Sequence, residues 1–282
     1  MRVETQKLFF ISSILIFMLI IWEYSFMLYW KTLSVFLHES FHAIIGFLLG
    51  GKEISIVLNS PESGTTKMKS LTNIAIPMVV SAGYLGNIIF GSFLLSKAFR
   101  YNQNRIISFL SANWIIISAM FFLDPKEIFY NYIIITGIIF NIGALMGGIV
   151  SSLLTLYLGL TLLLYGVYDI YDIFMNPEIT DAGIFAAWVL DKGIIGSTLR
   201  NIAMNIGIAW YALSAAIIFI FNRYLIFGEK TGEKRIDKMI SLVNKGNVPK
   251  DVADWFLEKG KDLDGLPLSG ENIKYLNRGT HE

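Results

Sequence analysis

Residues 32–51 read TLSVFLHESFHAIIGFLLGG. The stretch is long and apolar enough for a membrane helix, and the Gly50-Gly51 pair marks its end. In its middle stand His38, Glu39 and His42, in the pattern HExxH. On a helix, positions i and i+4 lie about 40° apart on one face, so both imidazoles can reach a single metal ion. Glu39 then sits beside that ion, where it can take a proton from a water. Imidazole and carboxylate donors with an open water position form the ligand set of catalytic zinc, one ion per chain. Ionisable groups at bilayer depth are costly and mark function.

The rest of the chain fits a membrane setting. Of its 282 residues, 54% are hydrophobic and 16% charged, against about 25% charged in soluble domains. Residues 228–282 hold 20 of the 45 charged side chains. The first 227 residues therefore lack the polar surface of a water-soluble globule. This divides the chain into a membrane-embedded part, 1–227, and a soluble tail, 228–282. Within the tail, RIDKMISLV (235–243) and DVADWFLEKG (251–260) read as short amphipathic helices. A net charge of +1 without a basic patch argues against nucleic-acid binding. With no cysteine, disulfides, thiolate metal sites and catalytic thiols are excluded.

Apolar runs fall at 8–30, 32–49, 72–97, 106–123, 128–147, 150–174 and 199–226, giving seven candidate spans. Residues 52–70, KEISIVLNSPESGTTKMKS, are different. Ile54, Ile56 and Leu58 alternate with Ser55, Val57 and Asn59, and a Pro61–Gly64 turn cluster follows. This predicts a β-hairpin, whose edge could pair with an unwound peptide. Gly83, Gly86 and Gly91 read as helix-packing glycines. Basic residues near both ends favour a cytoplasmic N-terminus and tail, which requires an even number of crossings. Segment 175–198 is the natural candidate for a re-entrant loop. The expectation is an all-α polytopic membrane protein with about six to eight transmembrane helices, a small β-hairpin after the HExxH helix, and a short soluble helical C-terminal tail. The cell membrane is the expected location and the lipid bilayer the first partner.

A metal held by His38 and His42 needs a third protein ligand. His281 lies in the tail, so a carboxylate must supply it. Candidates are Glu23, Asp124, Glu127, and the cluster Asp169, Asp172, Glu178 and Asp181 within YGVYDIYDIFMNPEITDAG (165–183). Asp169 and Asp172 are three apart on one helical face. Asp181 follows Asn176-Pro177 and precedes Ala182-Gly183, small residues that allow a close backbone approach.

Four features resemble the M50 family of membrane metallopeptidases, the site-2 protease group, and most closely its M50B-like branch. They are HESFH at 38–42, Gly50-Gly51 leading into the strand-like 52–69, AGYLGNIIFG at 82–91, and Thr180-Asp181-Ala182, similar to a Ser-Asp-Ala element late in that branch. The likeness spans roughly residues 31–190. It implies a zinc-dependent protease that cuts membrane-protein substrates within or next to a transmembrane segment. His38 and His42 would be ligands and Glu39 the general base. In better-known site-2 proteases the third ligand is an Asp within an Asn-Pro…Asp-Gly element; here Asn176-Pro177 precedes Asp181 at a shorter spacing, with Ala182 before Gly183, so the third ligand falls first on Asp181, then on Asp169, then on Asp172. The rival readings are a metal-dependent transporter and a non-catalytic scaffold using the same polar site.

Overall fold

The computed structural model describes residues 3–98, 101–227 and 239–259. Among these, nine long elements are helical: α1 (Val3–Ile21), α2 (Leu28–Leu48), α3 (Ile76–Lys97), α4 (Tyr101–Phe122), α5 (Tyr130–Met146), α6 (Gly148–Met175), α7 (Asp181–Asp191), α8 (Leu199–Phe227) and α9 (Lys250–Glu258). The strands β1 (Lys52–Ser60) and β2 (Ser63–Lys69) form one antiparallel hairpin between α2 and α3. The chain divides into two compact units, Leu15–Asn222 and a second made of Met1–Ile14 with Arg223–Glu282. The first contains the hairpin and the candidate site. Of the two helices read in the tail, 251–260 corresponds to α9, and residues 239–243 of the 235–243 stretch are helical, with 235–238 outside the described residues.

The Leu15–Asn222 unit is built inside out relative to a soluble domain. Leu48, Phe121, Ile128 and Met146 are exposed, whereas Ser34, Asn87, Ser92, Asn104 and Thr161 are buried. Only a lipid-facing surface tolerates that inversion, because lipid tails are as apolar as leucine. The protein is an integral membrane protein. Its interior is packed by Leu33, Phe36 and Leu37 of α2, Ile115 of α4, Phe140 of α5, and Leu158 and Leu162 of α6.

Among the described residues, four helices are long and apolar enough to cross a membrane. A bent pair brings the number to five. The seven apolar runs reduce to this for two physical reasons. The run 8–30 is not one helix: it breaks at Trp22–Met27, and the helices on either side meet at 111°. At the break Trp22 is buried and stacks on Tyr168, while the Glu23 side chain is exposed. The run 128–147 gives α5, an apolar helix of 17 residues, short of the roughly 20 residues a bilayer needs. Hydropathy registers apolarity but neither bends nor helix ends. Segment 175–198 is a 3-10 turn (Pro177–Ile179) followed by the 11-residue α7.

The end of α2 follows from its glycines. Gly50 has φ +89°, Gly50 N–H donates to Phe47 O at 3.1 Å, and Gly51 N–H donates to Gly46 O at 2.8 Å. This is the Schellman arrangement that a glycine after a helix permits. It turns the chain straight into β1, where Ile56 and Leu58 are buried, Ile54 is half-buried and Ser55 and Asn59 face out. The tip of the hairpin is Pro61-Glu62, with Ser60 opposite Ser63. Gly64 is not part of the turn. It lies in β2 opposite Leu58, where a Cβ would stand 2.7 Å from Glu39 Cγ and 2.9 Å from Val35 Cγ1.

Helices α3 and α6 cross at Gly91 and Gly159. A Cβ on either would lie 3.0 Å from the carbonyl oxygen of the other, so the two backbones touch, as small residues allow in membrane interfaces. Gly159→Leu should force the helices apart and cost about 1–3 kcal/mol, read as a lower unfolding temperature of the detergent-purified protein. An unchanged unfolding temperature would show that this crossing is not close-packed.

Candidate metal centre

Three side chains from two segments converge. His38 and His42 come from the buried face of α2, and Asp181 opens α7. Asp181 Oδ2 lies 3.0 Å from His38 Nε2 and 3.1 Å from His42 Nε2, and the two Nε2 atoms are 3.0 Å apart. His42 Nδ1 lies 2.6 Å from the carbonyl oxygen of Val79. A carbonyl only accepts, so Nδ1 carries the proton and Nε2 turns its lone pair toward the centre. Protons alone satisfy such a triangle poorly, whereas a small cation satisfies all three corners. Donors held at about 2.0–2.1 Å by a tetrahedral ion would stand about 3.3 Å apart, and the observed sides are only slightly shorter. His38, His42 and Asp181 thus form a group that could hold a metal ion.

Asp181 reaches the centre because the chain folds back after α6. Asn176 ends that helix, Thr180 Oγ1 donates to Pro177 O at 2.9 Å, and Thr180 O accepts the Gly183 N–H at 2.9 Å and the Ile184 N–H at 3.1 Å. At Gly183 a Cβ would collide with the Pro177 and Glu178 carbonyls. Ala182, Ala186 and Val189 then pack α7 against Tyr84, Ile173, Ile202, Ala203 and Trp210. The carboxylate sits in the first turn of α7, at the positive end of the helix dipole.

Glu39 is buried. Thr66 Oγ1 on β2 lies 2.7 Å from Glu39 Oε2 and 2.9 Å from the Glu39 carbonyl oxygen. Both His38 and Glu39 line a cavity of about 420 Å³, together with Gly64, Tyr165, Asp169 and Asp181. That volume suits a short peptide segment and water.

The other carboxylates fall elsewhere. Asp169 Oδ2 is 3.3 Å from His38 Nδ1, the nitrogen on the far side of the ring from the triangle. Asp172 and Glu62 line the cavity. Glu23 lies 3.8 Å from the ammonium of Lys31, Asp124 Oδ1 accepts the Lys126 N–H in its loop, and Glu178 is exposed. His281 lies outside the described residues.

Sequence reading missed four positions. Val79 has no side-chain signal, because its carbonyl is the working group. Thr66 sits in a polar strand with nothing to distinguish it. Gly83 has the sequence setting of a packing glycine, but a Cβ there would run into the Nε2 atoms of both His42 and His38. Lys31, 4% exposed, is ion-paired with Glu62 at the hairpin tip. Its signal was present in the sequence: a lysine seven residues before His38 lies on the same helical face.

The family model described as Peptidase M50B-like matches residues 11–221. The match extends on both sides of the 31–190 stretch that carries the resemblance. No curated protein and no solved structure matches the chain.

Two outcomes follow for metal binding. Gly83→Ala should weaken binding about 10-fold or more, the range seen when a ligand's support is disturbed, as read by chelator competition. Wild-type affinity in this variant would mean that the imidazoles have room to move. Asp181→Asn should weaken metal binding more than Asp169→Asn or Asp172→Asn does. The reverse order would give the third donor to α6.

Proposed function

The chain belongs to the Peptidase M50B-like family, and we propose from this that it is a zinc-dependent intramembrane endopeptidase that cuts membrane-protein substrates within or next to a transmembrane segment. The observation that carries this reading is the convergence of His38, His42 and Asp181 within 3.1 Å of one another, in a cavity that Glu39 also lines.

His38, His42 and Asp181 would hold the ion. Bound there, zinc supplies Lewis acidity, polarising a scissile carbonyl and making a water more acidic. The residues of the chain do the rest. Glu39 takes a proton from the attacking water and passes it to the leaving amine. The Thr66 hydroxyl donates to Glu39 and fixes which way the carboxylate faces, leaving its other oxygen for the proton. Water has to enter through the polar cavity, because the bilayer core holds none.

A substrate helix shields its own peptide bonds by hydrogen bonding and must unwind locally before cleavage. Among the described residues, β2 pairs only with β1, and Ser63 and Gly64 line the cavity. Its outer edge offers the unwound peptide the backbone partners that it loses. The transporter and scaffold readings give Glu39 no comparable task.

Glu39→Gln separates these readings, because the amide keeps the shape but accepts no proton. In a cleavage assay against single-span membrane proteins, this variant should lose at least about 100-fold in activity while retaining about one zinc per chain. Near-normal cleavage would require another base. Absence of stoichiometric zinc from cleaving wild-type protein would end the zinc reading.

A further inference from the structure

His38 and His42 differ in what holds their second nitrogen. His42 Nδ1 is tied to the Val79 carbonyl at 2.6 Å. His38 Nδ1 faces Asp169 Oδ2 at 3.3 Å. Both of these atoms are buried, and neither has a hydrogen-bond partner of good geometry. A buried N–H and a buried carboxylate oxygen, each lacking another partner, are a costly pair to leave apart. If His38 Nε2 is to offer its lone pair to the centre, Nδ1 must carry the ring proton. That proton then points at the one carboxylate beside it.

Helix geometry places Asp169 on the cavity side of α6. Tyr165, one turn earlier, also lines the cavity, with its ring 6.2 Å from the His38 ring at an interplanar angle of 74°. Asp172 lines the same cavity, but no contact with either histidine accompanies it. The two acids of the DIYD segment, similar in sequence, therefore differ in role.

We propose that Asp169 is a positioning residue: its carboxylate accepts the Nδ1 proton of His38 and thereby fixes the tautomer and the aim of that ring toward the metal centre. The proposal rests on the metallopeptidase reading above. A carboxylate behind a metal-binding imidazole holds the ring orientation and raises its basicity, and its loss typically weakens metal binding 10- to 100-fold. A neutral carbonyl does this for His42 and an anion for His38, so His38 is the stronger donor of the two. The charge of Asp169 is thus placed behind a ligand and not on the ion. It offsets the cation without occupying the position that a water and a peptide carbonyl need.

The test is a titration of metal-free full-length protein in detergent with Co²⁺, comparing wild type, Asp169→Asn, Asp169→Ala, Asp172→Asn and Asp181→Asn. Both Asp169 variants should bind Co²⁺ about 10- to 100-fold more weakly, with altered d–d absorption bands. Asp172→Asn should match wild type in affinity and spectrum. Wild-type affinity and bands in Asp169→Asn would overturn the proposal. So would loss of binding in Asp169→Asn with retention in Asp181→Asn, which would make Asp169 a ligand. Failure of the wild type itself to bind Co²⁺ would remove the underlying metal reading as well, an outcome distinct from the other two. If the Asp169 variants do not fold, a metal-loaded structure of the wild type decides. An Asp169 oxygen within about 3.2 Å of His38 Nδ1 supports the role, and an Asp169 oxygen on the metal refutes it.

Discussion

Everything around the centre answers one demand: unshared lone pairs of two imidazoles and a carboxylate must point at a single spot inside an apolar helix bundle. In water such groups are free to turn away. In a lipid-facing bundle they have nowhere to go, and a misdirected polar atom costs heavily. Each imidazole therefore needs its second nitrogen engaged, and the carboxylate needs a backbone that brings it in without strain. Val79, Asp169 and the fold-back at Asn176–Gly183 meet those needs from three different segments.

Helix α3 links these arrangements. Along one length it supplies the Val79 carbonyl to His42, a side-chain-free position at Gly83 beneath both imidazoles, and Gly86 under the Phe41 ring. Farther along, Gly91 meets α6. Tyr84 donates to the Gly166 carbonyl at 2.7 Å and stacks on Trp210 of α8, 5.3 Å away. The same helix that spaces the two histidines thus also positions α6 and, through the Tyr84 cluster, the start of α7. A shift of α3 would disturb the histidines on α2 and the carboxylate on α7 together.

This explains what the sequence made legible. HExxH in an apolar run, the glycine stop after it and the alternation of Ile54, Ile56 and Leu58 are local signals. Local signals survive folding, so the membrane class, the motif helix and the hairpin could all be read. The break at Trp22–Met27 could not, because it depends on Trp22 stacking against Tyr168, a partner nearly 150 positions away. The separate placements of Asp169, Asp172 and Asp181 depend on the fold-back after α6, for which Asn176-Pro177 is only a hint. Backbone donors such as Val79 O leave no trace in side-chain identity at all. Gly83 left a trace, but packing glycines and glycines under a ligand look the same in one sequence.

The hairpin and the motif helix fit each other through a simple match of periods. Lys31 pairs with Glu62, Val35 approaches Gly64, and Glu39 is bonded by Thr66. Each step is four residues on α2 and two along the hairpin, from its tip into β2. Four residues of helix rise about 6.0 Å, and two residues of strand advance about 6.6 Å. One face of the helix and one face of the strand therefore stay in step over three contacts. The match explains why a polar strand lies along an apolar helix. Its helix-facing positions are a glycine where the helix comes too close for a side chain and a hydroxyl for Glu39, while the exposed Glu62 at the tip pairs with the buried Lys31 ammonium. It also fixes the register of the hairpin on α2. The edge of β2 and the Glu39 carboxylate are then held in one frame, and a slip of a single strand residue would turn Thr66 away from Glu39.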